Sequence, residues 1–92
     1  MKKLWSNKAW DDYLYWQTQD KKTLRRINKL ITSIERSGND PDEQSLPFGK
    51  AERLKYSKTG LSSVRIDDTN RLVYKIENNE ILSIVSCRGH YQ

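Results

Sequence analysis

The apolar residues of this chain change their spacing partway along, and that change limits the fold more than any other feature. Trp10, Tyr13, Leu14 and Gln17, then Leu24, Ile27, Leu30, Ile31 and Ile34, recur at intervals of three and four. Such spacing lines up one side of an α-helix. From Glu52 onward the interval falls to two, the period of a β-strand. Helices first and strands afterwards predict an α+β fold. Its helix pair should pack on one face of a twisted, mainly antiparallel sheet of four or five strands, with the other face free to bind.

The boundaries follow from local signals. Lys2 to Ser6 predicts a short opening strand, with Ser6 placed to cap a helix over Asn7 to Gln19. A second helix runs from about Asp20, its N-cap, to Ser37, and the short Gln19-Asp20 junction predicts an antiparallel pair. Ser37-Gly38-Asn39-Asp40-Pro41 ends that helix and opens a loop that extends to Gly49. Strands are expected over Glu52 to Tyr56, Leu61 to Ile66, Arg71 to Ile76 and Ile81 to Cys87. No linker divides the chain, so residues 1–92 read as a single domain. A two-residue turn at Asn78-Asn79 would put Arg71, Val73, Lys75, Leu82, Ile84, Ser86, Arg88 and His90 on one face.

Composition narrows the function classes. A net charge of +5 and a pI near 9.4 favour a polyanionic partner or simple solubility. Nothing approaches the ~20 apolar residues of a membrane span, and the opening lysines lack the apolar run of a signal peptide, so a cytoplasmic location is expected. One cysteine and one histidine build neither a disulfide nor a zinc site, and no metal or cofactor is expected. Cys87, in an apolar strand, reads as core. Trp5, Trp10 and Trp16 are expected in the helix–sheet core.

The chemistry-bearing residues cluster late. Between Lys50 and Arg71 lie six basic residues (Lys50, Arg53, Lys55, Lys58, Arg65 and Arg71) against Glu52, Asp67 and Asp68. That balance suits a groove for phosphates, with Tyr56 and Tyr91 as rings on which bases stack. The plainer account makes Arg65 and Arg71 solvated charges, Glu52 an ion-pair partner and His90 a frayed end. RNA cleavage by transesterification needs a base for the 2′-hydroxyl, an acid for the departing 5′-oxygen and positive charge on the phosphorane. Glu52, His90 and Arg71 match those roles by residue type, His because its unperturbed pKa is ~6.5.

These residues sit within a pattern that resembles the Txe/YoeB family of the RelE superfamily over essentially the whole length. The resemblance rests on Trp5-Ser6, the run from Trp10 through Asp12 to Trp16, and Arg26-Ile27-Asn28-Lys29-Leu30-Ile31. Gly49 through Leu54-Lys55, Arg71-Leu72-Val73-Tyr74 and Cys87-Arg88-Gly89-His90-Tyr91 complete it. It implies a RelE-like sheet and a toxin of a type II toxin–antitoxin pair that cleaves mRNA in the ribosomal A site without a metal. It places the base on Glu52, the phosphate-stabilising arginine on Arg71, the acid on His90 and a substrate-orienting tyrosine on Tyr91. Lys55 and Arg65 fall on basic positions of the same cleft, and Arg88 adds to the RNA-binding set. The implied partners are a YefM-like antitoxin, the ribosome with its mRNA, operator DNA through the antitoxin complex, and a second copy as a homodimer. Gly89 stands where a bulkier residue is common in the family and should loosen the tail, and Gln92 follows a tyrosine at which many relatives stop. The alternatives are a ribosome-binding inhibitor acting by occupancy, and a toxin-derived protein left with operon repression.

Overall fold

The computed structural model describes residues 1–37, 45–46, 49–50, 52–53, 60–78 and 80–89. The elements are β1 (Lys2–Trp5), α1 (Asn7–Gln19), α2 (Lys21–Ser37), β2 (Ser45–Leu46), β3 (Gly49–Lys50), β4 (Glu52–Arg53), β5 (Ser62–Arg65), β6 (Arg71–Glu77) and β7 (Ile81–Ser86). Across the main sheet the order is β1-β7-β6-β5-β4. β1 runs parallel to β7, and the other neighbours are antiparallel. This is the α+β architecture expected from the change of period, with five strands.

Both helices start where their caps dictate. The Ser6 hydroxyl accepts from the Ala9 N–H at 3.0 Å and donates to the Val85 carbonyl at 2.7 Å, so one side chain caps α1 and ties it to β7. Asp20 accepts from the Lys22 and Thr23 N–H groups at the head of α2. Tyr13 donates to Asn28 at 2.8 Å across the α1–α2 pair. The predicted stripe of α2 is the core: Ile27, Leu30, Ile31 and Ile34 are buried against Val64, Leu72, Tyr74, Leu82 and Ile84, with Ala9 and Trp16 from α1. Each fully buried isoleucine, leucine or valine among them contributes about 1.5–3 kcal/mol by leaving water. Trp16 meets the expectation of a core tryptophan, and Trp5 packs against the core partly buried. Trp10 does not: it is 46% exposed, in contact with Trp5 and Tyr13 at the edge.

Two features depart from the predicted register. Glu77 pairs with Ile81, so the β6–β7 connection is longer than the expected two-residue turn. Asn78 stands at φ 54, a conformation its short amide side chain tolerates better than most residues. Beyond it Tyr74 pairs with Ile84 but Val73 with Ser86, leaving Val85 as a bulge. Leu82 and Ile84 therefore face the helices, and Val73 and Ser86 the other side; burial of the two apolar residues decides the register. Within the stretch expected to be loop up to Gly49, Ser45 pairs with Lys50 and Leu46 with Gly49 in a short antiparallel ladder. The strand expected over Glu52 to Tyr56 is observed at Glu52–Arg53, and residues 54–59 lie outside the described residues.

Candidate active site

Pleating sets which candidate residues meet. Glu52 pairs with Ser63, Ser63 with Val73 and Val73 with Ser86, so these four positions form one row across the sheet. Arg65 pairs with Arg71 in a neighbouring row on the same face, the face turned away from the helices. The middle of that face is closed: Ser63, Val73 and Ser86 are 1%, 0% and 8% exposed. Arg71 is half-buried and Arg65 exposed at the end of the face.

Directly opposed like charges destabilise a strand pair, so the Arg65–Arg71 pairing is not there for the sheet's benefit. Each guanidinium is held. Arg71 donates from Nε to the Ser63 hydroxyl at 3.1 Å, which aims the side chain across β5 towards the row that contains Glu52. Arg65 pairs with Asp68 and donates to the Asp67 carbonyl at 3.3 Å. The turn between them is rigid. Burial alone would raise the Asp67 carboxyl, but hydrogen bonds from the Thr69 and Asn70 backbone and side chains outweigh it and hold its pKa below the usual value.

The chain leading to His90 is gripped from three directions. Asp12, buried in α1, accepts the Cys87 N–H at 3.0 Å and the Lys8 ammonium at 2.9 Å. Trp16 donates its indole N–H to the Cys87 carbonyl at 2.8 Å. Gly89 donates to the Asn70 side chain at 2.8 Å and accepts from the Arg71 N–H at 3.0 Å. Gly89 adopts φ +89, where glycine is favoured, and both its backbone groups are bonded. Gly89 itself is thus held, while the tail beyond it that this glycine is expected to loosen lies outside the described residues. Cys87 is buried core, as expected; desolvation, then the nearby Asp12 charge, push its thiol up to about 12.

Of the sequence-predicted site residues, the structure brings Arg65 and Arg71 together and places Glu52 in the row aimed at by Arg71. Lys50 lies on β3. Arg53 pairs with Ser62, in the row that at Tyr74 and Ile84 faces the helices. Arg88 is not on the face of Arg71: β7 ends at Ser86, and strand alternation does not carry through the bend at Cys87–Gly89. Its guanidinium sits 3.6 Å from the centre of the Tyr15 ring on α1. Lys55, Lys58, His90 and Tyr91 lie outside the described residues. Sequence reasoning missed Ser63, Asn70 and Asp12 as supports. Only Asp12 left a readable trace, as a carboxylate on the same helical side as Ala9 and Trp16.

Comparison with known proteins agrees with this frame. The family described as the YoeB-like toxin of bacterial type II toxin–antitoxin systems matches residues 5–91. Toxin YoeB of Escherichia coli K12 is 44% identical over 94 aligned residues, covering 99% of this chain and 100% of that protein. The structure of the YoeB dimer from Staphylococcus aureus has a TM-score of 0.82 at 37% identity, covering 99% of this chain and 98% of that one. The heterotetrameric YoeB–YefM toxin–antitoxin complex from Staphylococcus aureus gives 0.80 at 38% identity over the same shares. With the fold, the motifs and these relatives in agreement along its whole length, the chain belongs to the YoeB-like toxins of bacterial type II toxin–antitoxin systems.

Proposed function

We propose that this toxin is a ribosome-dependent endoribonuclease that cuts mRNA in the A site by metal-independent acid–base transesterification. The observation that carries the reading is the Arg65–Arg71 pair, opposed across β5 and β6, with Arg71 fixed by Ser63 beside the row of Glu52. Two guanidiniums held against their mutual repulsion make a preorganised field for a phosphate that gains negative charge in the transition state.

In the proposed reaction Glu52 removes the proton of the 2′-hydroxyl. The 2′-oxygen attacks phosphorus, Arg71 neutralises the phosphorane, and the bond to the 5′-oxygen breaks as His90 protonates it. The products are a 2′,3′-cyclic phosphate (or the 3′-phosphate from its hydrolysis) and a 5′-hydroxyl end. Tyr91 orients the substrate, and Lys50, Arg53, Lys55, Lys58, Arg65 and Arg88 bind RNA. A YefM-like antitoxin covers the site, the toxin–antitoxin complex represses its operon, and two toxin copies pair. The Staphylococcus aureus dimer and YoeB–YefM complex support the antitoxin partner and the pairing of toxin copies by likeness.

Primer extension on a reporter mRNA in reconstituted translation tests the reading. New 5′ ends at the A-site codon are expected with wild type and not with Arg71→Ala or His90→Ala. Arrested translation without new ends in any sample would overturn the nuclease and leave ribosome occupancy as the mechanism.

A further inference from the structure

Asn70 stands where the start of β6 meets the chain leading to His90. It directly precedes Arg71, and Gly89 directly precedes His90. The Gly89 N–H donates to the Asn70 side-chain oxygen at 2.8 Å, and the Gly89 carbonyl accepts from the Arg71 N–H at 3.0 Å. Both backbone groups of one residue are thus held by two residues adjacent in the chain. A single bond would leave that segment free to swing about it, whereas two fix its position and its direction. Asn70 and Gly89 lie 19 residues apart in sequence, around the β6–β7 hairpin, yet these bonds join the two ends directly.

The Asn70 amide cannot turn over. A backbone N–H must face an oxygen and a carboxylate only accepts, so the Gly89 donor and the Asp67 acceptor fix which end points which way. The amide nitrogen donates to the two Asp67 oxygens at 3.0 and 3.1 Å. The Asn70 backbone N–H donates to Asp67 Oδ1 at 2.7 Å, and the Asn70 carbonyl accepts from the Ile66 N–H at 2.9 Å. Every polar group of Asn70 is therefore in use. Stability alone asks for less. Gly89 and Asn70 are half-buried, within reach of water, and one such bond contributes about 0.5–1.5 kcal/mol. What the bond delivers is geometry. Asp12 and Trp16 hold the chain earlier, at Cys87, and among the described residues Asn70 is the last side chain to hold it before His90.

We propose that Asn70 is a positioning residue for the general acid: by bonding Gly89 it keeps His90 at a fixed reach from the phosphate that Arg71 neutralises. The proposal rests on the nuclease reading above, to which it adds the residue that sets the acid's place. In that reaction the 2′-oxygen forms its bond to phosphorus, the bond to the 5′-oxygen breaks, and the proton of His90 passes to the departing oxygen. Asn70→Ala leaves the Arg71 guanidinium on Ser63 and frees the acid end. Its loss therefore falls on protonation of the leaving group and not on binding of RNA. A misplacement of about 1 Å at such a step costs up to ~100-fold in rate.

The test is single-turnover cleavage of mRNA on programmed ribosomes by the full chain, with two messages that differ at one atom. One carries the natural 5′-oxygen at the scissile phosphate, mapped by primer extension, and the other carries sulfur there. Sulfur departs as a thiolate and needs no proton, because a thiol is a far stronger acid than an alcohol. Asn70→Ala is expected to cut the oxygen message roughly 10- to 100-fold more slowly than wild type at saturation, with the half-saturating concentration within about threefold. On the sulfur message Asn70→Ala and His90→Ala should both come within about threefold of wild type, while Arg71→Ala stays slow on both. An unfolded variant would fail on both messages, so recovery on sulfur also reports an intact domain. Asn70→Ala slow on both messages overturns the proposal and assigns Asn70 to Arg71 or to stability. Asn70→Ala as fast as wild type on oxygen overturns it outright. If His90→Ala does not recover on sulfur, His90 is not the acid and the proposal falls with that assignment. Wild type that cuts neither message overturns the nuclease reading itself, which separates that failure from failure at Asn70.

Discussion

Replacing Asp12 with alanine should destabilise the fold far more than an exposed-looking Lys8–Asp12 ion pair suggests. The Asp12 side chain is 8% exposed and that of Lys8 62%, so the pair itself sits in solvent at one end and contributes at most about 1 kcal/mol. The larger effect comes from the Cys87 N–H, which Asp12 accepts at 3.0 Å in a buried position. A buried donor stripped of its acceptor costs about 1–3 kcal/mol. Together these give roughly 2–3 kcal/mol for Asp12→Ala, or a Tm lowered by on the order of 10–20 °C for a domain of this size. Asp12→Asn keeps an acceptor oxygen and should lose about 1 kcal/mol; Lys8→Ala should lose less than about 1 kcal/mol. Urea unfolding of the three variants, with the slope checked for constancy, measures all of this. Asp12→Ala within ~0.5 kcal/mol of wild type would refute the assignment of Asp12 as the acceptor that holds the end of β7. Asn as damaging as Ala would show that the charge, not the acceptor, matters.

Three further outcomes follow from the same segment. The Cys87 thiol, raised from 9.0 to about 12, favours its neutral form in the folded state. Its contribution is full below the unfolded value and is lost as pH climbs from about 9 to 12, so wild type should lose stability there more steeply than Cys87→Ala, as read by urea midpoints against pH. At pH 8 the native thiol should resist a thiol reagent that labels the unfolded chain at once. Gly89→Ala meets no atom within 4 Å of the added Cβ, so its penalty should be that of φ +89 alone, about 1–2 kcal/mol by thermal unfolding. A larger loss would mean a clash that the geometry excludes.

The sequence carried the period of α2, the cap at Ser6 and the strands around Arg71 and Ile84 without ambiguity, because burial and capping are local in their demands. Register was harder. Neither the Val85 bulge nor the bend after Ser86 has a residue-type signature, and that bend carries Arg88 from the side of Arg71 to the ring of Tyr15. The opposition of Arg65 and Arg71 was within reach of pattern reasoning, since each stands in good strand sequence next to a turn. The supports were not: that Ser63 would hold Arg71 depends on the register across the β5–β6 turn, and that Asn70 would hold Gly89 on how the chain beyond β7 returns to that turn. Trp10 shows the opposite error. Its helical spacing is right for a core residue, but β1 is the edge of the sheet among the described residues, and no strand described beyond it covers the ring.

The parallel pairing of β1 with β7 has a consequence for when this protein acquires its shape. Lys2–Trp5 takes its only sheet neighbour among the described strands from Ile81–Ser86, and Ser6, Asp12 and Trp16 all bond backbone groups between Ile84 and Cys87. The first strand therefore waits, unpaired, until residues 81–86 have been made, and contacts of such high sequence separation form late and slowly. A nascent chain in which Ile81–Gly89 is still unmade or within the exit tunnel lacks the β1 sheet edge and the held Gly89. The native sheet is thus withheld from any chain in which residues 81–87 have not yet been made.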